Sequence, residues 1–436
     1  MKTDMPRIVI IGGGFGGLNA AKALGDIHAQ ITLIDSRNFH LFQPLLYQVA
    51  TGGLSPADIS FPIRAVFTKQ KNVNVVLGKV TDIDLTTQHV YVSEKYFEYD
   101  YLIIATGVRH HYFGNDQWSQ YARGLKTIED ATTIRSKLLS SFEKAELETD
   151  REKHKELLTF VIIGGGPTGV ELSGALAELA NATLKDDFRK INSSEANIIL
   201  VEGTERILPV YPPKLSKQAE KILEKFNVQV MTQTMVTKVD SSGVTIKRND
   251  ELIRIKTKNI LWAAGVKAVS LGKLLINKYN LQHDRNNRLS VDNFCRLHEY
   301  NNVFVIGDLA NFSDENKIAL PGTAPVAIQQ GKYIAGIIKN LLRGKRIKAF
   351  RYFDKGNLAV IGRSYAVAFR GNKKFSGFIA WLLWIFVHLL YLIGFENRVL
   401  VAVQWAFNYF TRNRSARLIT NTIKKITVDE NEKESY

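Results

Sequence analysis

A buried strand that runs into a glycine-spaced turn and then a helix is the feature that most constrains this chain, and it occurs twice. Arg7-Ile8-Val9-Ile10-Ile11 is a continuous apolar run, the pattern of a parallel strand covered on both faces. It leads into Gly12-Gly13-Gly14-Phe15-Gly16-Gly17 and then a helical segment, Leu18–Leu24. In the spacing Gly12-x-Gly14-x-x-Gly17, Gly12 makes the tight turn. Gly14 lets a pyrophosphate approach the backbone, and Gly17 lets helix pack on strand. The free N–H groups and positive dipole end of the helix then face the phosphates. The next strand, Ile31–Ile34, ends at Asp35, 18 residues past Gly17, where a carboxylate can accept hydrogen bonds from a ribose. The unit recurs as strand Phe160–Ile163, Gly164-Gly165-Gly166-Pro167-Thr168-Gly169, helix Val170–Leu179 and strand Asn197–Val201, ending at Glu202. That acid falls 33 residues after Gly169, which predicts a longer helix and a loop around Asn181–Ala196.

Two cradles imply two dinucleotides. A flavin with a nicotinamide is the productive pair, since a flavin accepts a hydride and passes electrons onward; FAD and NADH are therefore the expected cofactors. Glu202 suits an unmodified 2′-hydroxyl and repels a 2′-phosphate, which favours NADH over NADPH. Three further strand ends fit the scheme: Ala105-Thr106-Gly107, Ala264-Gly265 and Gly307-Asp308. Cys295 is the single cysteine. A disulfide within the chain, a four-cysteine metal site and a CxxC redox pair are all excluded. No metal-ligand spacing is present, and His110-His111 read as loop or packing residues. No metal is expected.

The chain carries 58 Lys/Arg against 42 Asp/Glu, and the excess is local. Residues 340–428 hold 16 basic and 2 acidic side chains, while the last eight residues are acidic. The same region contains Gly377–Phe395, 19 residues whose only titratable side chain is His388, and a second apolar run, Val399–Phe410. As one helix the first run would be about 28 Å long, near the hydrocarbon thickness of a bilayer. Basic clusters on both sides disfavour a spanning helix. Trp381, Trp384, His388, Tyr391 and Phe395 recur at spacings of three or four. They predict one amphipathic stripe lying in the plane of the membrane, rings at the headgroups and His388 interfacial, with Lys/Arg on anionic lipid. So apolar a region does not suit nucleic acid. The N-terminus has no secretory h-region.

GGGFGG, ATG, GGGPTGVE, AAG and VIGD, in this order over about residues 5–345, resemble the two-dinucleotide-binding-domain flavoprotein superfamily. Within it, His40–Gly52, Leu320–Ala335 and the C-terminal WLLWIFVHLLYLIGFENRVLVAVQWAFNYF resemble type II NADH dehydrogenases, single-subunit NADH:quinone reductases that do not pump protons. The resemblance implies that Gly12, Gly14, Gly17 and Asp35 hold FAD. It implies that Ala105, Thr106 and Gly107 form the flavin-side turn, and that Asp308, after Gly307, binds the ribityl chain. Gly164, Gly166, Gly169, Glu202, Ala264 and Gly265 fall on the NADH side, and Glu171 near the nicotinamide–flavin stack. Gln329 and Gln330 fall beside the quinone pocket. One position departs from the family: where many members read Ala-Gln, this chain has Ala324-Pro325. Gln329, a backbone group or Lys374 is left to supply the polar quinone contact.

The expected fold is α/β: two Rossmann-like, glutathione-reductase-like dinucleotide domains plus a C-terminal amphipathic helical anchor. The boundaries expected are FAD domain 1–114 and 292–343, NADH domain 115–291 and anchoring region 344–436, with a charged helix Asp130–Leu158 as connector. The expected activity is NADH:quinone oxidoreduction at the cytoplasmic face of the cell membrane, monotopic. Partners are a membrane quinone, an anionic lipid surface and, as a further candidate, a second copy of the chain. Rival readings are a sulfide:quinone reductase, which needs a reactive cysteine pair, a soluble flavin reductase, which needs no greasy basic tail, and an NADH-sensing membrane module without turnover.

Overall fold

The computed structural model describes residues 5–315 and 317–420; the acidic last eight residues lie outside them. The elements used below are, in chain order, β1 (Arg7–Ile11), α1 (Phe15–Ala23), β2 (Gln30–Asp35), α2 (Leu46–Ala50), β3 (Val73–Leu77), β4 (Tyr101–Ile104), β5 (Ala122–Gly124), α3 (Ile128–Leu147), β6 (Thr159–Ile163) and α4 (Pro167–Glu178). They continue with β7 (Asn197–Val201), β8 (Val228–Met231), β9 (Asn259–Trp262), β10 (Val303–Val305), α5 (Ala324–Leu342), β11 (Asn357–Ile361), β12 (Tyr365–Arg370), β13 (Lys373–Gly377), α6 (Phe378–Tyr391) and α7 (Phe395–Thr411).

Two compact units share the chain. The first comprises Met1–Leu41, Ser60–His110 and Val266–Lys355. Its central sheet has the order β10-β4-β1-β2-β3, every pair parallel. The apolar runs read from the sequence are these strands. Ile8, Ile10, Ile31, Leu33, Ile103 and Phe304 are all fully buried, as a sheet covered on both faces requires. Helices α1 and α5 pack on it so closely that Gly331 of α5 lies against the Gly16 carbonyl of α1. Pro325 stands in the first turn of α5, where the missing N–H costs nothing.

The second unit comprises Phe42–Ile59, His111–Gly265 and Gly356–Tyr436. Its parallel sheet has the order β5-β9-β6-β7-β8, and all five residues of β6 are buried. The charged segment expected as one helix is two. A capping box starts α3, with Thr127 Oγ1 accepting from Asp130 N at 3.0 Å. The helix ends at Leu147, and Asp150 caps a second helix, Arg151–Leu157, by accepting from Glu152 N and Lys153 N.

These units are drawn differently from the expected boundaries. Residues 266–291 belong with the first unit because Leu271, Leu275 and Ile276 join the core around Val9, Ile11 and Ile104. Burying each such side chain contributes about 1.5–3 kcal/mol. Residues 42–59 belong with the second unit. The region beyond Gly344, expected to anchor throughout, instead includes an antiparallel sheet, β11-β12-β13. That sheet meets α4 where Gly174 faces the Gly362 amide.

The greasy segment also differs from expectation. Helix α6 stops at Tyr391, Gly394 takes φ +88°, and α7 begins at Phe395. Fourteen residues reach only about 21 Å, and no helix among the described residues is long and apolar enough to cross a membrane. The expected stripe is inverted. Trp384 is 2% exposed, its ring 4.1 Å from His388 and 5.0 Å from Trp405. Burial holds the His388 imidazole down at about 4, so it is neutral at physiological pH rather than interfacial. The outward face is Phe378, Leu382, Phe386 and Leu390 with Ile379, which is 71% exposed; α7 continues it with Phe395, Val399, Val403, Phe407 and Phe410. Helix α6 is apolar nearly all round, so spacing alone could not say which face turns inward.

A methyl at Gly331 would overlap the Gly16 carbonyl oxygen, whereas one at Gly336 of the same helix meets open space. Gly331→Ala is therefore expected to destabilise by about 1–3 kcal/mol, and Gly336→Ala to stabilise by about 0.5–1 kcal/mol. Thermal unfolding of the two variants, measured side by side, checks this.

Candidate active site

The two glycine loops are built alike. Gly12 has φ +103° and Gly164 φ +110°, conformations that an L side chain rarely adopts. Each loop tucks under a neighbouring strand end: Gly12 N donates to Ile34 O and Gly164 N to Val201 O, both at 2.8 Å. A methyl at Gly17 would collide with the Gly12 carbonyl, and one at Gly169 with the Gly164 carbonyl. At Gly14 and Gly166 a methyl would meet nothing within 4 Å. Those two residues cap α1 and α4, and neither cap supplies a side-chain hydrogen bond to the first turn. Each loop thus offers bare N–H groups beside an open space, as a pyrophosphate needs.

An acid pins each loop. Asp35 Oδ2 accepts from Gly13 N at 2.5 Å and its Oδ1 from Arg37 N at 2.7 Å. Glu202 Oε2 accepts from Gly165 N at 2.6 Å and its Oε1 from Thr204 N at 2.8 Å. Burial raises the Asp35 carboxyl, and these N–H groups oppose the rise. The interval from last glycine to acid differs greatly between the loops, yet both acids stand just at or past the end of the neighbouring strand. Helix α4, a π-turn at Leu179–Thr183 and a short turn at Ser193–Glu195 take up the extra residues.

Around the first loop, two buried polar atoms have no hydrogen-bond partner among the described residues: Thr106 Oγ1 and His40 Nε2. The other His40 nitrogen, Nδ1, lies 2.9 Å from Gly13 O, and the ring stands edge-on to Phe15. Burial depresses its basicity, so it is a neutral polar group. Unpaired buried atoms beside an open cradle are what a removable polar ligand leaves, and the site fits a dinucleotide. Sequence reasoning did not single out His40, although it opens the His40–Gly52 segment.

The remaining candidates separate. Gln330 is 1% exposed, and its Oε1 accepts from Gly307 N at 2.7 Å. It braces the turn that carries Asp308 instead of offering its carbonyl to a quinone. Gln329 clamps the Phe353 backbone, donating from Nε2 and accepting at Oε1, both at 3.0 Å. Lys374 is exposed on β13, opposite Phe369 of β12. Ala264 and Gly265 follow β9, with Gly265 at φ +66°.

Glu171 sits in the first turns of α4, and the Val360 amide donates to it at 3.4 Å. Desolvation pushes its carboxyl up to about 8. Seven residues on, Glu178 occupies the same helix face. It accepts from Arg363 N at 2.7 Å and pairs with Arg414 at 3.1 Å, and burial raises it too. That i, i+7 spacing was visible in the sequence but not used. Cys295 is fully buried and free. Desolvation pushes its thiol far up, so a thiolate is not at hand. Among the described residues no cluster could hold a metal ion.

The comparisons agree with this geometry. Residues 6–331 match the pyridine nucleotide-disulphide oxidoreductase family model. The chain is 45% identical over 424 residues to the type II NADH:quinone oxidoreductase Ndh of Mycobacterium tuberculosis, covering 95% of this chain and 90% of the relative. In fold it resembles NDH2 from Plasmodium falciparum, solved in complex with NADH, with a TM-score of 0.87 at 23% identity, covering 95% of this chain and all of that one. It also resembles the sulfide:quinone oxidoreductase of Aquifex aeolicus, with a TM-score of 0.69 at 19% identity over 97% and 95%. The site and fold thus define a pyridine nucleotide-dependent oxidoreductase. Within that family, the chain belongs to the type II NADH:quinone oxidoreductases.

The raised Glu171 carboxyl makes a signed prediction. Below about pH 4.5 the group is protonated folded and unfolded, and has no effect. Between there and about pH 8 the unfolded chain releases the proton first, so stability falls as pH rises, and it levels off above. Glu171→Gln should remove this component, flattening the pH dependence of the urea midpoint between pH 5 and 8.

Proposed function

We propose that the chain oxidises NADH at the second cradle and reduces a membrane quinone, with FAD held in the first cradle. The net reaction is NADH, one proton and quinone giving NAD⁺ and quinol. The observation that carries this reading is the duplicated, acid-pinned glycine loop within one chain. FAD, when bound, supplies the chemistry of accepting a hydride and handing on two electrons. The protein supplies placement. Bare N–H groups at α1 hold the first pyrophosphate, Asp35 fixes the loop that meets the ribose, and Thr106 and Asp308 offer hydrogen bonds to the flavin. The α4 terminus, Glu202 and the Ala264-Gly265 turn do the same for NADH. With a carboxyl held at about 8, Glu171 is mostly protonated at neutral pH, which suits a proton donor. Gln330 positions Asp308 through Gly307.

The membrane reading rests on the outer faces of α6 and α7. Large exposed apolar patches mark interaction surfaces, and Lys373 and Lys374, just before α6, are exposed where anionic headgroups would meet them. The protein sits on the membrane face that meets the NADH pool, the cytoplasmic face in a bacterial cell. α7 cannot be removed without cost. Its Asn397 side chain donates to Ala57 O and Asp58 O, Trp405 Nε1 to Gln48 Oε1 at 2.7 Å, and Asn408 to Gly53 O. The clean test therefore alters the face and keeps the helices.

Purified protein should be yellow, bleach with NADH under anaerobic conditions and recover on adding quinone; bleaching without recovery would overturn the quinone assignment. Replacing Ile379, Leu382, Phe386 and Val403 together by Gln should abolish flotation with anionic vesicles while the flavin stays bound. In Glu202→Ala, Gly165 N and Thr204 N lose their acceptor. Its KM for NADH should rise on the order of tenfold, the scale of one or two lost charge-assisted bonds, and its preference over NADPH should narrow. Steady-state kinetics with both nucleotides reads this.

A further inference from the structure

Behind the two apolar helices, the second unit encloses a cavity of about 330 Å³, within the range of small-molecule sites. Its walls include Tyr47 of α2, Glu178 at the end of α4, Trp381 and Trp384 of α6, Trp405 of α7, and Arg414. None of the glycines or acids of the nucleotide cradle in this unit lines it, nor does Glu171. It is a second concavity of this unit, floored by a polar cluster and walled by three indoles.

The polar groups specify what it takes. Arg414 donates to Thr51 O at 3.1 Å, Ala175 O at 2.9 Å and Glu178 at 3.1 Å. Arg363 donates through Nη1 to Tyr409 O at 2.6 Å. Glu178 is matched by Arg414 and the Arg363 amide. The buried charges are thus satisfied by the protein, with none left over for an ionic ligand. The indoles differ. Trp405 Nε1 donates to Gln48 Oε1, whereas buried Trp384 Nε1 has no acceptor among the described residues. A buried donor without an acceptor is the exception in folded proteins, and here it stands on the wall of an apolar cavity.

We infer that this cavity binds a neutral, carbonyl-bearing amphipath, with its apolar body against the three indoles and its carbonyl oxygen accepting the Trp384 Nε1–H. Two membrane molecules carry that chemistry: a glycerolipid, through an acyl ester, and a prenylated quinone, through a ring carbonyl. The quinone arm rests on the function proposed above; the acyl-ester arm does not.

The test uses detergent-solubilised, flavin-loaded full chain without NADH. Tryptophan quenching is titrated separately with phosphatidylglycerol brominated on its acyl chains and with a singly prenylated naphthoquinone. Saturable quenching by either supports the site, and whichever ligand saturates identifies the source. Trp384→Phe keeps the ring and removes the donor, leaving Trp381 and Trp405 to report; binding should weaken about two- to tenfold, the value of one hydrogen bond. Ala182→Phe, on the same wall, should abolish saturation by filling the space, and it decides alone if Trp384→Phe does not fold. No saturable quenching by either ligand, or unchanged affinity in the folded variants, overturns the inference. Binding is read without turnover or vesicles, so it can fail while NADH bleaching, quinone recovery and flotation all hold.

Discussion

Everything in the two nucleotide cradles depends on one interaction, a carboxylate at a strand end that pins the middle of a glycine loop. Asp35 holds Gly13 N, and Glu202 holds Gly165 N. Each uses its second oxygen on a backbone N–H just downstream. Only a carboxylate presents two acceptors to two N–H groups with no donor of its own. The pinning takes Gly13 and Gly165 out of play, so the N–H groups at the helix start remain for the ligand. It also explains why 18 and 33 intervening residues give one geometry. The controlling fact is register: Ile11 opposes Ile34 and Ile163 opposes Val201, so the acid just beyond reaches the loop wherever the chain has travelled between.

The same economy governs the absence of thiol chemistry. A family whose name includes disulphide chemistry here has one cysteine, fully buried and held protonated. The residues available for proton movement are instead carboxyls lifted by desolvation. Glu171 and Glu178 are both pushed up because little water reaches them, but they differ in what opposes the push. Glu171 has one long backbone contact, while Glu178 has a guanidinium and an amide. A buried carboxyl with a full set of partners is structural, and one with few is free to exchange its proton. On that ground Glu171 is the reactive member of the pair, and Glu178 the post to which the Arg414 segment is tied.

What was legible in the sequence, and what was not, divides along physical lines. Strands β1, β7 and the Tyr101–Ile104 strand could be bounded to the residue, because a fully buried parallel strand is a continuous apolar run with a turn at its end. The acids and the glycine roles followed from steric argument alone. Gln330 could not be understood, because its meaning depends on α5 lying so close over the Gly307 turn that an amide reaches Gly307 N. The stripe on α6 was recognised as a stripe and assigned to the wrong side. Its aromatic rings looked like headgroup residues, yet Trp384 stacks on His388 in the interior while aliphatic and phenyl groups face out. Residues 42–59 and 356–377 were misallocated because sequence neighbourhood says nothing about which core a segment joins.

Helix α4 shows how these parts are coupled. Its first turn is the bare N-terminus of the second cradle, Glu171 follows within that turn, and Glu178 closes its last turn at the wall of the indole cavity. The whole length is twelve residues, about 18 Å. Gly174, midway, lies against Gly362 of the C-terminal sheet, and Arg414 binds both the Ala175 carbonyl and Glu178. A helix held at its N-terminus by a nucleotide, at its middle by a sheet and at its end by a buried guanidinium has little freedom to tilt. The C-terminal segment is thus part of the support for the nucleotide site, and this gives a physical reason why apolar helices and dinucleotide fold form one unit rather than a catalytic body with a detachable tail.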